Sequence, residues 1–488
     1  MTLNKLNRGK RACALFALCA TTAMALYGQT FTTVHNFDGT NGGGPYSLVQ
    51  ATDGNLYGTA GVIFKIALNG TFTVLYHFCS VGGSECPDGY EPGELVQATD
   101  GDLYGTTFEG GNYGTLNCEG QGCGTFFKIT PSGTLTTLYR FCALSECADG
   151  RLPGPVIQAA DGDFYGVTGG SPTPPSAEVV RIFKMTPSGT LTNLYSFCNQ
   201  PYCTAGGQLM QAANGDFYAP GVGGANEAGT VFKLTTSGTL TTLYSFCAQS
   251  GCPDGDSPEW ALVQDTNGDF FGTTDDGGIG GEEDGFGTVF KITPSGTLTT
   301  LFRFCAEGFP CETNGYGPLG LIHATDGNFY GTTRNGGAYR QGTIFQITPG
   351  GAFTTLHSFC SQSRCTDGAN PYFGLVQDTN GDFYGTTAFG GSYVGPYMGY
   401  GTIFRLSMGL APFVETRPHH GNVGAAIDIL GTDLTSAASV SFNGVPAAFH
   451  VASATEITAT VPAGATSGNV EVRTPNGTLI SGSPFRVP

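Results

Sequence analysis

The sequence predicts an all-β fold: a seven-bladed β-propeller followed by an immunoglobulin-like β-sandwich. Three observations lead to this prediction. The 488 residues include 78 glycines and 27 prolines, which is a turn-rich composition. A phrase of strand-forming residues recurs seven times between residues 29 and 407. A different pattern of alternating polar and apolar residues occupies residues 408–488.

The first element is a leader at residues 1–28. Four basic residues lie before Ala12, and an apolar run extends from Ala12 to about Leu26 before small residues appear. This order is typical of a secretory signal peptide. We therefore expect a bacterial protein that is secreted, extracellular or periplasmic, without membrane insertion.

Each repeat contains four short segments rich in β-branched and aromatic residues, for example L-V-Q-A, F-Y-G-T-T, T-V-F-K-I-T and L-T-T-L-Y-S-F. Asp-Gly or Asn-Gly pairs join the first two segments, as in two-residue hairpins. Four antiparallel strands repeated in this way indicate propeller blades. The array begins with a fourth-strand segment at Phe31 and ends with a third-strand segment at Leu406. We therefore expect the N-terminal strand to complete the seventh blade and close the ring.

Two repeated positions have predicted structural roles. One position in the third strand should pack between blades; it is Phe64, Phe127, Phe183, Phe232, Phe290, Phe345 and Phe404. The other is a glutamine near the channel, replaced once by His323; it is Gln50, Gln97, Gln158, Gln211, Gln264 and Gln377. A ring of glutamines is able to bind a ligand, but buried amides more often pair with neighbouring backbone.

Fourteen cysteines follow the leader, all in close pairs. The pairs are Cys79 with Cys86, Cys118 with Cys123, Cys142 with Cys147, Cys198 with Cys203, Cys247 with Cys252, Cys305 with Cys311, and Cys360 with Cys365. An even number in a secreted chain indicates disulfide bonds. Zinc requires four converging ligands, and pairs on separate blades should be far apart. No metal and no cofactor is therefore expected.

After Leu406 the repeat stops, and Pro412 and Pro418 mark a linker. The remaining residues form short alternating strands such as S-V-S-F-N-G-V-P-A-A-F-H-V and G-N-V-E-V-R-T. This pattern is typical of a small β-sandwich.

The repeat phrase D-G-N-F-Y-G-T-T…G-T-V-F-K-I-T-P-S-G-T-L-T-T-L-Y-S-F resembles the GloVer (Gloeo/Verruco) tandem-repeat family of secreted bacterial proteins. The resemblance covers about residues 31–407. The C-terminal phrase G-T-D-L-T-S-A-A-S-V-S-F-N-G-V-P resembles an IPT/TIG domain, a family of spacers and binding modules beside extracellular domains. Neither resemblance implies catalytic residues.

The charge and the motifs exclude several functions. The net charge of -18 opposes binding to nucleic acid and to anionic membranes. The metalloprotease, Walker and serine-hydrolase motifs are missing from the sequence. Three histidines, His35, His77 and His357, are assigned to one tolerant strand position. The D-T-N-G-D phrases at 265–269 and 378–382 are interpreted as turns, because a single hairpin supplies too few oxygens for calcium.

The loops between second and third strands differ most between repeats, so we expect function to lie there. One loop is acidic, and the others carry tyrosines, whose rings stack on sugars. The candidate binding residues are Tyr113, Asp275, Asp276, Glu282, Glu283, Asp284, Tyr339, Tyr393, Tyr397 and Tyr400. The predicted function is a secreted, non-enzymatic binding or scaffold protein that binds a carbohydrate or a protein at this loop face.

Two alternatives remain open at this point. A polysaccharide-active enzyme would use paired carboxyl groups such as Asp275 and Glu283 as acid and base. A purely structural cell-surface or matrix protein would need no ligand. The sequence does not predict the oligomeric state.

Overall fold

The computed structural model describes residues 29–80, 86–111, 118, 121–169, 180–197, 207–221, 223–278, 285–392 and 399–487. These residues form nine antiparallel sheets, joined by turns and a few short 3₁₀ turns such as Ser145–Cys147. The all-β class is therefore confirmed. Within the described ranges, no helix is long and apolar enough to cross a bilayer.

Seven of the sheets come from the repeats, one from each, and are numbered 1 to 7 in chain order. The N-terminal strand β1 is Thr30–Asn36. Sheet 1 contains β2 Leu48–Gln50, β3 Leu56–Thr59, β4 Val62–Ile66 and β5 Phe72–His77. Sheet 2 contains β6 Tyr90–Gln97, β7 Leu103–Glu109, β8 Thr125–Ile129 and β9 Leu135–Arg140. Sheet 3 contains β10 Arg151–Gln158, β11 Phe164–Gly169, β12 Arg181–Met185 and β13 Leu191–Ser196.

The later repeats follow the same order. Sheet 4 contains β14 Met210–Gln211, β15 Phe217–Gly221, β16 Thr230–Leu234 and β17 Leu240–Ser245. Sheet 5 contains β18 Val263–Gln264, β19 Phe270–Thr274, β20 Thr288–Ile292 and β21 Leu298–Arg303. Sheet 6 contains β22 Tyr316–His323, β23 Phe329–Asn335, β24 Thr343–Ile347 and β25 Phe353–Ser358. Sheet 7 contains β26 Ala369–Pro371, β27 Val376–Gln377, β28 Phe383–Phe389, β29 Thr402–Ser407 and β1.

The hairpin between first and second strands is stabilised by its own side chains. In sheet 1 the Asp53 carboxylate accepts the backbone N–H of Asn55 at 3.1 Å and the hydroxyl of Tyr57 at 2.8 Å. Gly54 has a φ of +78°, which favours glycine. In sheet 5 the Asp265 carboxylate likewise accepts backbone N–H groups within its own turn. The turn interpretation of the D-T-N-G-D phrases is therefore confirmed.

Strand β1 pairs antiparallel with β29 and takes the place of a fourth strand in sheet 7, as predicted. The register runs from Thr30 opposite Ser407 to Asn36 opposite Thr402. A backbone hydrogen bond from Phe37 to the Gly401 carbonyl extends the pairing.

Neighbouring sheets pack through shared hydrophobic clusters. The repeated third-strand phenylalanine is almost fully buried in every repeat and belongs to one of these clusters each time. Its predicted position between sheets is therefore confirmed. One cluster joins the last sheet to the first, with Tyr384 and Ile403 packed beside Leu56 and Phe64. The repeats thus form a propeller-like array of radial sheets.

The repeated glutamine connects each first strand to the preceding sheet. Gln97 accepts a hydrogen bond from the backbone N–H of Thr52 at 2.9 Å. The other five glutamines accept equivalent hydrogen bonds from the backbone N–H groups of Thr99, Ala160, Ala213, Thr325 and Thr379. The bond between Gln50 and Thr379 joins sheets 1 and 7. The prediction that these amides pair with neighbouring backbone is confirmed.

Six of the seven predicted cysteine pairs are confirmed as disulfide bonds in the described residues. The bonds join Cys79 to Cys86, Cys118 to Cys123, Cys142 to Cys147, Cys247 to Cys252, Cys305 to Cys311, and Cys360 to Cys365. The seventh predicted pair, Cys198 with Cys203, lies outside the described residues, so its disulfide stays a prediction.

Two cysteine pairs of the same repeat lie close together. The sulfurs of Cys118, Cys123, Cys142 and Cys147 all lie within 4.8 Å of one another. These two pairs converge because both belong to sheet 2, where their loops meet. As disulfides, they offer no thiolate to a metal.

The histidine assignment also needs correction. His35 pairs with Ile403 and His357 with Ile344, so these two occupy the same strand position. His77 pairs with Val62, one residue further along, and points to the other, exposed face. Because side chains alternate along a strand, a shift of one residue reverses the face.

The C-terminal domain is a sandwich of two four-stranded sheets around a common core. One sheet contains β30 Glu415–Arg417, β31 Ala426–Leu430, β35 Glu456–Thr460 and β34 Phe449–Val451. The other contains β33 Val445–Ala447, β32 Ser439–Phe442, β36 Val470–Thr474 and β37 Gly477–Ile480.

This domain contacts the propeller-like array on the side of the turns between first and second strands, which we call the turn face. Arg417 donates to the Gln97 side chain at 2.9 Å and to the Gln50 carbonyl at 2.6 Å. Thr455 donates to the Thr52 carbonyl at 2.9 Å. The C-terminal domain is therefore docked on the array.

Candidate functional site

A cavity of about 540 Å³ lies where the first strands of the array begin, on the side opposite the turn face. We call this cavity the loop-face cavity. Six of the seven repeats contribute to its wall, so it lies at the centre of the array. Its volume is in the range of pockets that bind small molecules.

One side of the loop-face cavity is aromatic. The rings of Tyr46 and Phe373 lie 4.5 Å apart between centroids, and Trp260 meets Phe373 edge-on at 5.8 Å. Phe108 and Leu152 add further apolar surface. Three rings close together give a platform on which an amphipathic ring can stack.

The aromatic side has a simple origin in the repeat. Four residues before the repeated glutamine or its equivalent, sheets 1, 5 and 7 carry Tyr46, Trp260 and Phe373. At that position, sheets 2, 3 and 4 carry glycine, at Gly93, Gly154 and Gly207. Large rings therefore fill one side, and the glycines leave the other side open.

Threonine hydroxyls hold the backbone of this wall, and each threonine belongs to the sheet beside the wall residue that it contacts. Thr386 donates to the Tyr46 carbonyl at 2.9 Å, and Thr332 donates to the Phe373 carbonyl at 3.0 Å. These hydroxyls belong to the buried second strands. The wall is thus held by a rigid scaffold rather than by a loose loop.

The polar groups of the cavity are predominantly acidic. Its wall includes the carboxyl groups of Glu91, Glu94 and Glu259, and the Gln208 amide donates to Glu94 at 2.9 Å. Burial raises the pKa of Glu94. Burial also raises the pKa of Glu259, and the charge of Asp275 adds to this effect.

One donor in the wall is unsatisfied. The indole N–H of Trp260 is inaccessible to solvent and has no hydrogen-bond partner among the described residues. Buried donors usually have partners, so this N–H is an exception.

The opposite end of the array contains a second cavity, of about 800 Å³, between the glutamine ring and the C-terminal domain. It is lined by Arg417 and Arg486, by Glu415 and Asp265, and by three histidines. Arg417 bonds to Gln97 and Gln50, so the C-terminal domain contacts this end of the array.

The residues predicted from sequence are only partly brought together. Asp275 lies close to the cavity; its carboxylate is 3.8 Å from Arg334, and burial raises its pKa. The backbone of Asp276 pairs with that of Asp256. Tyr339 is half exposed and does not line the cavity. The ring of Tyr400 packs against the glycine-rich segment at Gly39 and Gly43.

The other candidates lie outside the described residues: Tyr113, Glu282, Glu283, Asp284, Tyr393 and Tyr397. The acid–base pair Asp275 and Glu283 is therefore not tested.

Sequence reasoning missed the residues of the cavity wall. The available signal was the position two residues before L-V-Q or its equivalent, which is aromatic in three repeats, glycine in three and leucine in one. Tyr46, Trp260 and Phe373 stand apart in sequence, and only the radial arrangement of sheets places them side by side.

Comparison with curated proteins gives no match. Similar solved structures include a putative gluconolactonase, with 12% identity and a TM-score of 0.38, covering 68% of this chain and 95% of that one. An α-L-arabinanase of Penicillium chrysogenum has 12% identity and a TM-score of 0.41, covering 64% and 92%. PorZ of Porphyromonas gingivalis has 15% identity and a TM-score of 0.45, covering 89% and 58%. These identities and TM-scores are too low to assign the function of any of these proteins to this chain.

Family models agree with the resemblances noted in the sequence. The model of the Gloeobacter/Verrucomicrobia repeat matches residues 60–282 and 252–427. The model of the IPT/TIG domain matches residues 415–486. The repeat matches cover well over half of the chain's length. The chain therefore belongs to the Gloeobacter/Verrucomicrobia repeat family and carries a C-terminal IPT/TIG domain.

Proposed function

We propose that this protein is a secreted, non-enzymatic carbohydrate-binding protein whose ligand occupies the loop-face cavity. The observation that carries the proposal is the aromatic wall of Tyr46, Trp260 and Phe373 beside the polar groups of Glu94 and Gln208. Sugar rings have apolar C–H faces and polar edges. Such a ring can stack on the aromatic wall while its hydroxyls bond to the carboxylate and amide groups.

The export of the protein is part of the proposal. A leader pattern at residues 1–28 supports it, as do six disulfide bonds, which persist in oxidising compartments. An extracellular or periplasmic polysaccharide would then be accessible to the cavity.

The proposal also includes a closed ring of seven blades. Three contacts between sheets 1 and 7 support closure: the shared hydrophobic cluster, the bond between Gln50 and Thr379, and the bond from Thr386 to the Tyr46 carbonyl. A closed ring would hold the aromatic wall, which includes residues of sheets 1, 5 and 7, in one fixed geometry.

Intrinsic fluorescence provides a direct test, because Trp260 is the only tryptophan in the chain. We expect oligosaccharides that bind in the cavity to shift the emission of Trp260 and to protect it from a soluble quencher. Trp260→Ala should weaken binding in calorimetry, because it removes one ring of the aromatic wall on which the sugar stacks. No release of reducing ends is expected.

Tyr339→Ala is the matched control, since Tyr339 is half exposed and lies outside the cavity wall. The affinity of the Tyr339→Ala variant for the oligosaccharide should equal that of the parent protein. Binding that survives Trp260→Ala but is lost in Tyr339→Ala would place the site elsewhere on the loop face. Release of reducing ends would contradict the non-enzymatic proposal.

A further inference from the structure

The loop-face cavity combines aromatic and acidic groups in an unusual way for a neutral ligand. Three carboxyl groups, those of Glu91, Glu94 and Glu259, are part of its wall. None of the described residues of the wall is lysine, arginine or histidine. Carboxylates close together repel one another, and Arg334 offsets only part of this charge at Glu259, so a cationic ligand would relieve an existing penalty.

We propose that the carbohydrate bound in the loop-face cavity carries a positive charge, and that it is an amino sugar with a free, protonated amine. This inference rests on the proposed carbohydrate-binding function and specifies its substrate class. The amine would be placed among the carboxyl groups while the sugar ring stacks on the aromatic wall. Ammonium groups are attracted both to carboxylates and to the faces of aromatic rings.

The acidity of the cavity extends to its surroundings. The charge of Glu91 contributes to raising the pKa of Tyr46, after the larger effect of burial. The charge of Glu91 also contributes to raising the pKa of Glu109, again after the larger effect of burial. Asp275 adds a further carboxylate beside Glu259, although Arg334 lies 3.8 Å from it. Arg334 is itself engaged, since its guanidinium lies 5.0 Å from the centre of the Tyr372 ring.

The second cavity of the same array lacks this excess of carboxyl groups. It contains Arg417 and Arg486 beside Glu415 and Asp265, together with three histidines. The two ends of the array therefore differ in charge, although they are built from the same repeat. The overall charge of -18 does not by itself explain the difference, because the second cavity belongs to the same acidic chain.

The test compares three oligosaccharides of the same length and linkage: β-1,4-linked glucosamine, N-acetylglucosamine and glucose. Affinities for the full-length mature protein are measured by calorimetry and by Trp260 fluorescence at a pH where the amine is protonated. We expect glucosamine oligomers to bind about tenfold or more tightly than the other two, which corresponds to one charge pair. The preference should decrease with added salt, since it is electrostatic.

Single variants identify the carboxyl groups that cause the preference for glucosamine oligomers. Glu94→Gln and Glu259→Gln should each reduce the affinity for glucosamine oligomers much more than the affinity for glucose oligomers, so the preference for the amino sugar should fall in both variants. The Glu259 side chain is more exposed than that of Glu94, so its variant should fold even if Glu94→Gln does not. Glu471→Gln, in strand β36 of the C-terminal domain, is the matched control and should not change the preference.

The possible outcomes separate the two proposals. Equal binding of all three oligosaccharides, sensitive to Trp260→Ala, would overturn the amino-sugar inference and leave the carbohydrate-binding function in place. Binding of none would overturn both. Oligolysine that binds as tightly as glucosamine oligomers at the same site would show that the cavity selects charge alone, and would also overturn the inference.

Discussion

At the residue scale, ring pairs between sheets show how the repeats tolerate variation. A residue near the end of each fourth strand packs on a residue near the start of the next fourth strand. His35 stacks on Phe72 and His357 on Phe31, each with centroids 3.8 Å apart, and Phe302 stacks on Phe353 at 4.0 Å. Where the neighbour is leucine, the position holds tyrosine instead. The two positions therefore vary together, because the space between the sheets is constant.

A prediction at the same scale concerns Asp378, which stands where five other repeats have a buried alanine. Burial raises the pKa of Asp378 to about 7. The unfolded chain loses this proton near pH 4, so the carboxyl lowers stability as the pH rises from about 4 to 7. Asp378→Ala should therefore raise the free energy of unfolding by about 2 kcal/mol at pH 8, with no gain at pH 4.

Urea unfolding at pH 4 and pH 8 checks this prediction. Asp265→Ala is the control, since Asp265 occupies the same position in sheet 5 but is only half-buried and accepts two backbone N–H groups. That variant should lose stability at pH 8. An equal effect of Asp378→Ala at both pH values would show that its ionisation does not matter.

At the scale of the elements, β1 determines how sheet 7 is completed. The strand covers the edge of β29, and Phe31 also stacks on His357 of sheet 6. An uncovered edge strand presents unpaired backbone groups to other molecules. Strand β1 thus protects the array from association through its last sheet.

Truncation tests the role of β1. A protein that begins at residue 30 should keep its melting temperature, whereas one that begins at residue 38 should melt at a clearly lower temperature. The shorter protein should also form oligomers in size-exclusion chromatography, through the exposed edge of β29. A monomeric protein of unchanged melting temperature after removal of β1 would contradict this role.

The elements were largely predictable from sequence, and the cavity was not. Short segments bounded by Asn-Gly or Asp-Gly pairs specify strands locally, and repetition marks Phe64 and Gln50 as members of regular positions. The cavity depends on Tyr46, Trp260 and Phe373, which meet only through the arrangement of distant sheets.

At the scale of the whole molecule, the C-terminal domain covers one end of the array. Its Arg417 bonds to residues of sheets 1 and 2, and the His420 ring lies 3.0 Å from the Ala160 carbonyl oxygen in sheet 3. Several sheets therefore share one contact with the domain. Such a contact couples the two units.

Arg417→Ala tests this coupling. The variant loses both hydrogen bonds to the array, so the linker near residue 412 should be cleaved faster in limited proteolysis. Sugar binding at the loop face should not change. Arg473→Ala, which alters an exposed arginine of β36, is the control and should be cleaved like the parent protein. Equal cleavage of Arg417→Ala would show that other contacts hold the domain.

The pairing of β1 with β29 also has a consequence for the order of events during synthesis. Ribosomes release the chain from its N-terminus, so β1 emerges before its partner exists. Each of sheets 1 to 6 can form from a single stretch of chain. Sheet 7 cannot be completed until nearly the whole array has been synthesised, because β1 pairs with β29. The entropy cost of closing so long a loop grows only slowly with its length. Completion of this sheet is therefore expected as the final step of maturation, after the other sheets have formed.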